Sequence, residues 1–183
     1  LGLGLSFIFN EPFFESMAYK FHGGYHLNSF SSVHLNFVLR QDKVSSDANE
    51  IDSDPATRIN FAVIPVPKYF VTLDYQLTPY YGKISFTKDG VSNLALYGLL
   101  GIGAIDVGGE TTAIGNFGFG ANLYFSKRIA LKADLRFLLY QGPNVLSLPQ
   151  STTTAATTPF DPSDFDSEFQ VSPTISIGAT ILL

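Results

Sequence analysis

The feature that most restricts this chain is its period. Nearly every one of eight successive segments alternates apolar and polar residues with a repeat of two, and hardly any stretch carries the helical repeat. An extended strand sends successive side chains to opposite faces, so each segment reads as a β-strand with one apolar and one polar side. Leu1, Leu3, Leu5, Phe7 and Phe9 share a face, opposed mostly by Gly2, Gly4, Ser6 and Asn10. Met17, Tyr19, Phe21, Tyr25 and Leu27 oppose Lys20, His22, His26 and Asn28, and Val33, Leu35, Phe37 and Leu39 oppose His34, Asn36 and Arg40. Val71 to Leu77 alternates in the same way, and beyond Pro79 the phase changes, which predicts a bulge near Pro79 and Tyr80. A fifth segment, Asn93 to Ile105, is apolar on both faces apart from its glycines and Tyr97; the sixth to eighth, near 116–125, 131–139 and 169–181, alternate again.

No segment suits a spanning helix. The most apolar run, Leu94 to Ile105, is broken by Gly98, Gly101 and Gly103 and falls short of the ~18 to 20 residues such a helix needs. A closed barrel is the other structure that satisfies every backbone group in lipid. Composition points the same way: of 183 residues only 15% are charged, against about 25% in an ordinary soluble domain. The net charge of -5 argues against a nucleic-acid partner, and without cysteine neither a disulfide framework nor a zinc–thiolate site can form. The chain opens on Leu1-Gly2-Leu3-Gly4-Leu5, already alternating, and is read as starting at a processed or trimmed N-terminus.

The links between segments sort by length. Asn28-Ser29-Phe30-Ser31, Thr87-Lys88-Asp89-Gly90 and Ser126-Lys127-Arg128 are tight, whereas two links are long, 41–68 and 141–167. In an up-and-down barrel the tight turns then fall at one end and the long links at the other, the plan of an outer-membrane barrel with short periplasmic turns and longer outside loops. Both long links are acidic, with little apolar surface to bury, so partial disorder is expected; residues 59–66 are the apolar exception, expected against the rim or in a longer fourth strand.

Alternation alone leaves the direction of the apolar face open, and a soluble, ligand-binding barrel would hide it inside. Here the polar face is rich in Gly, Ser, Thr and Asn with few charges, which suits a crowded interior, while Phe, Leu and Ile suit acyl chains. Aromatics cluster near both strand ends: Phe13, Phe14, Tyr69, Phe70 and Tyr140 by the long links, and Tyr25, Tyr80, Tyr81, Tyr124 and Phe125 by the tight turns. On this reading Lys20, Arg40, Lys83, Lys132 and Arg136 point inward with Asp74 and Asp134, and must form a paired, hydrated network that fills the lumen.

His22, His26 and His34 share the polar face of neighbouring strands. His22 and His26 lie roughly 13 Å apart along their strand, and no carboxylate completes a metal set, so hydrogen bonding in the lumen is the expected role. A Ser–His–carboxylate site would belong at the outward rim, whereas these histidines lie towards the tight turns and Ser29, Ser31 and Ser32 read as turn residues. No catalytic residue, metal or cofactor is expected. Gly23, Gly82 and Gly98 fall on the outward phase and leave shallow spots where a second barrel could pack.

Two stretches carry a resemblance. Ser176, Gly178, Ile181 and Leu183 resemble the signal on the last strand of outer-membrane barrels: a polar residue, a glycine two on, then hydrophobics three and five beyond it. Gly24-Tyr25-His26-Leu27, Thr78-Pro79-Tyr80-Tyr81-Gly82-Lys83-Ile84-Ser85, Leu96-Tyr97 with Gly101 and Gly103, and Leu135-Arg136 occur in that order. Together they resemble the outer-membrane β-barrel family of myxobacteria and predatory relatives, of OmpA-like architecture. The resemblance implies a bacterial outer-membrane location, outer-membrane lipids and the barrel-assembly machinery as partners, and a structural or interaction role in the envelope, with no general activity. The expectation is one eight-stranded barrel domain over 1–183, self-association and envelope partners included; a transport role and a soluble ligand-binding barrel are the alternatives.

Overall fold

The computed structural model describes residues 1–9, 14–44, 66–85, 91–143 and 166–182. The strands are β1 (Gly2–Ile8), β2 (Phe14–His26), β3 (Ser31–Val44), β4 (Pro67–Ser85), β5 (Val91–Val107), β6 (Glu110–Tyr124), β7 (Ile129–Pro143) and β8 (Ser167–Ile181). Each pairs antiparallel with its neighbour in sequence, and β8 returns to β1, so the sheet closes into an eight-stranded up-and-down barrel. A walk along paired residues from Gly2 passes His22, Asn36, Thr72, Gly103, Ile114 and Tyr140 and reaches β8 at Gln170. Gly2 itself pairs with Thr180, so the ring closes with a stagger of ten residues, 180 against 170. With a rise of about 3.3 Å and a strand spacing of about 4.8 Å, that stagger tilts the strands about 40° from the barrel axis.

The bulge expected near Pro79 is present: the β4–β5 register slips between Leu77 and Tyr80, so Leu77 faces Gly98 but Tyr80 faces Leu96. A second slip, between Pro67 and Tyr69, had no signal in the alternation. The long links are shorter than their composition predicts. Pairing continues through Asp42 to Ser16 and through Gln141 to Phe169, so β3 runs to Val44 and β7 to Pro143. The ladder is made by backbone groups, and polar side chains do not end it. The expected behaviour of 45–65 and 144–165, including the apolar stretch 59–65, falls outside the described residues, as does the turn at 86–90.

At the end that carries the chain termini the described turns use one device. Asn28 Oδ1 accepts from the backbone N–H groups of Phe30 and Ser31, both at 2.8 Å. Ser126 Oγ accepts from Arg128 and Ile129 at 3.2 and 3.1 Å. A polar side chain thus closes each turn on its own backbone. The sorting of links by end is incomplete, since β1 and β2 are joined at the long-link end by a short link, residues 9–13. β5 and β6 are joined at the long-link end by Gly108 and Gly109 alone, with φ of 62° and 98°. Two consecutive positive φ values make a type I′ hairpin turn, whose twist matches the strands it joins and which glycine adopts without strain.

The faces divide as the alternation predicts. Leu3, Phe21, Leu35, Leu73, Leu100, Ile102, Phe119 and Ile177 are among the exposed large hydrophobics, while Ser6, Lys20, His22, Asn36, Asp74, Asn116, Asp134 and Arg136 are buried. The barrel is apolar outside and largely polar inside. The aromatic expectation needs correction at the long-link end: Tyr69 is exposed, but Phe70 and Tyr140 are buried in the interior, because they fall on the inward phase of β4 and β7. At the other end Tyr25, Tyr80, Tyr81 and Phe125 are exposed, and Tyr124 stacks on Tyr81 with ring centroids 6.0 Å apart.

Candidate functional site

Among the described residues the interior gathers the buried polar and charged side chains, and it is built in three layers. Nearest the long-link end, Ile8, Ala18, Val38, Phe70, Ile105, Val107, Ile114, Leu138 and Tyr140 form an apolar core. Sequence alternation missed it: these residues sit on the phase that elsewhere is polar. At this end the Arg40 guanidinium donates to Ser16 Oγ at 2.9 Å and pairs with Asp42 at 3.0 Å. Arg40 was expected in the central network and Asp42 in a solvated loop. The longer β3 instead carries both on its inward phase, two residues apart.

The middle layer is the ion network. Arg136 bridges two carboxylates, its Nε donating to Asp134 and its Nη1 to Asp74. Lys20 Nζ donates to both oxygens of Asp134, at 3.0 and 3.2 Å. Asn36 and Asn116 donate to the two oxygens of Asp74 at 2.8 and 2.9 Å, and Tyr97 hydroxyl reaches Asp134 at 3.5 Å. Space for this comes from Gly101, which lies between Asp74 and Asn116 in the register; a methyl group there would overlap the Asp74 carboxylate. Ser6 and Ser176 hydroxyls meet at 2.8 Å on the neighbouring wall. Each buried charge in this layer has opposite charge beside it, which is what low dielectric demands.

The third layer opens at the terminal end. His22 Nε2 lies 3.0 Å from Thr180 Oγ1 and His34 Nε2 2.9 Å from Ser32 Oγ. Their ring centroids are 6.5 Å apart, as are those of His26 and His34, because the stagger sets His34 between the other two. His22 and His34 are buried, whereas His26 is exposed at the rim, not enclosed in the lumen as expected. Gly24 makes the room, since a methyl group on it would overlap the His34 ring. Lys132 Nζ donates to Gln76 Oε1 at 3.0 Å and stands 4.8 Å from the Tyr97 ring centroid. Lys83 does not join any of these layers. Its segment has passed the bulge and run beyond the enclosed part of the barrel, and the residue is exposed near the end of β4.

Ser32 belongs to β3 and not to the turn, and with His34 it forms a buried Ser–His pair. His34 Nδ1 has no partner and Ser32 is 1% exposed, so the pair lacks the orienting carboxylate and the access that acyl transfer requires. Among the described residues no three His, Cys, Asp or Glu side chains converge on a metal position.

The remaining expected sites are separate. Ser176, Gly178 and Ile181 line the β1–β8 seam, where Leu1 amino nitrogen donates to Ile181 carbonyl at 3.0 Å and Ile181 N–H donates back to Leu1 at 2.7 Å. Leu183 lies outside the described residues. Gly23, Gly82 and Gly98 do not share a patch, since β3 separates Gly23 from the other two. The Tyr80 ring covers Gly82, and Gly98 alone leaves an open notch.

No family model matches this chain, and no curated protein matches it either.

Proposed function

We propose that this chain is an integral barrel of a bacterial outer membrane with a structural or interaction role in the envelope. The observation that carries the reading is the inversion of the barrel: every charge in the middle layer is enclosed, while a continuous belt of Leu, Ile, Phe and Tyr faces outward. A soluble monomer rarely exposes an apolar patch beyond a few hundred Å², whereas acyl chains call for such a belt. Under this reading the tight turns and the histidine mouth face the periplasm and the long acidic links face outward. Outer-membrane lipids are its solvent, and the β8 strand with Ser176, Gly178 and Ile181 is what the assembly machinery reads. The resemblance to the myxobacterial family agrees with that location.

The lumen is closed by its own side chains, with the apolar layer stacked on the ion network. That stacking supports a barrel that anchors its outer loops and weighs against a transport role. Contact with a second barrel, if it uses one of the three glycines, falls on Gly98, and a strictly monomeric mass in mild detergent would count against it.

Carbonate-washed membranes are expected to retain the protein, and gels are expected to show different mobility before and after boiling. Release into the soluble fraction would reject the membrane reading in favour of a soluble ligand-binding barrel. Planar bilayers are expected to show no large, reproducible conductance steps; such steps would replace the closed lumen with a pore.

A further inference from the structure

The interior carries an imbalance of charge that the envelope reading does not use. Lys20, Lys132 and Arg136 face Asp74 and Asp134, three cations against two carboxylates, all buried. Both carboxylates are taken by Lys20, Arg136, Asn36 and Asn116. Lys132 is 4% exposed, yet its Nζ has an amide oxygen and an aromatic face for company and no carboxylate among the described residues. Asp134 and Asp74 act on it only at a distance, against the like charges of Lys20 and Arg136, and a buried ammonium without a directly paired carboxylate is costly.

Lys132 also lines a cavity at the terminal-end mouth, together with His22, His26, His34, Asn122 and Thr180. Its volume is about 30 Å³, room for one or two particles the size of a water molecule. The Nδ1 atoms of His22 and His34 are buried and have no hydrogen-bond partner, although both Nε2 atoms do. In the tautomer whose Nε2 accepts from the Ser32 or Thr180 hydroxyl, each Nδ1 carries hydrogen and can donate. Two rings with unpartnered Nδ1 atoms, a cation without a paired carboxylate and a small cavity meet at one mouth.

We infer that this mouth binds a single halide-sized anion, held by Lys132 and the imidazole N–H groups of His22 and His34. The anion adds a negative charge beside Lys132, so that the three buried cations Lys20, Lys132 and Arg136 face two carboxylates and the anion. Size suits it: a space of about 30 Å³ takes one chloride or bromide. The site depends on the closed barrel and not on which solvent surrounds it, so it is tested apart from the membrane reading.

The experiment is anomalous diffraction from crystals of the detergent-solubilised protein grown in sodium bromide. The expected result is one bromide peak in the cavity, in contact with Lys132 Nζ, and its loss in Lys132→Met. Bromide on exposed cations such as Lys127 and Arg128 alone, an adventitious ion only, would overturn the proposal, as would water alone in the wild-type cavity. A peak that persists in Lys132→Met would overturn the role of the lysine. Should Lys132→Met fail to fold, as judged by loss of heat-modifiable migration, the wild-type map decides by itself.

Discussion

Removing the charge of Asp134 would leave Lys20 and Arg136 buried with one carboxylate, Asp74, between them, and that one already accepts from two asparagines. Breaking a buried pair from one side costs roughly 3–5 kcal/mol, because the partner is left uncompensated. Asp134→Asn is therefore expected to lower the free energy of unfolding, measured with guanidinium in micelles, by an amount of that order. Lys83→Ala, on an exposed residue beyond the bulge, should change it by no more than about 0.5 kcal/mol. Equal losses for the two would mean that the ion network contributes nothing particular. Of the seven lumen charges expected from alternation, Lys20, Asp74, Asp134 and Arg136 meet in the middle layer, Arg40 and Lys132 are buried on either side of it, and Lys83 is exposed. Alternation assigns a face but not a height along the barrel, and the height decides whether an inward residue is enclosed, as Asp134 is, or left at the rim, as Lys83 is.

At the scale of strands and turns, the tight places are the hairpins and the seam. A side chain on Gly109, at φ 98°, would force a conformation that costs about 1–2 kcal/mol for other residues. Gly109→Val is accordingly expected to destabilise by about that amount, read from the same unfolding measurement. At the seam Gly4 pairs with Gly178, and a methyl group on Gly178 would overlap the Leu3 carbonyl. Gly178→Val should abolish the fast-migrating folded band, whereas Gly98→Ala, with open space before it, should leave the band intact. Strand number and the division into two faces were legible from residue period alone, and which face points outward from the small, sparsely charged side chains of the polar one. Strand length was not, since Asp42 and Gln141 ladder as readily as leucine does. The Gly108-Gly109 pair was legible in principle as a hairpin signal, but a fifth segment apolar on both faces masked where its strand ended. Tyr97 was visible as the polar interruption of that segment; its partnership with Asp134 was not, because it depends on two successive registers, Tyr97 with Gly120 and Gly120 with Asp134.

For the whole molecule the open question is what the belt touches. Leu35, Leu73 and Ile102 lie in one row across β3, β4 and β5, outward and exposed. If lipid covers them, Leu73→Arg should cost about 2–4 kcal/mol in vesicle-reconstituted protein. If water does, the change should be close to neutral, and the membrane reading fails. The same ring has an uneven circumference of pairing. β4 and β5 share sixteen paired positions, whereas the β1–β8 seam has seven, and it joins residues at opposite ends of the sequence. The seam thus has the greatest loop to close and, together with the β1–β2 pair, the fewest paired positions to hold it. Because Leu1 and Ile181 already touch there, a circular permutant that links the two termini and opens the chain at 126–128 would turn the seam into a local hairpin. The final closure would then fall on the well-laddered β6–β7 pair.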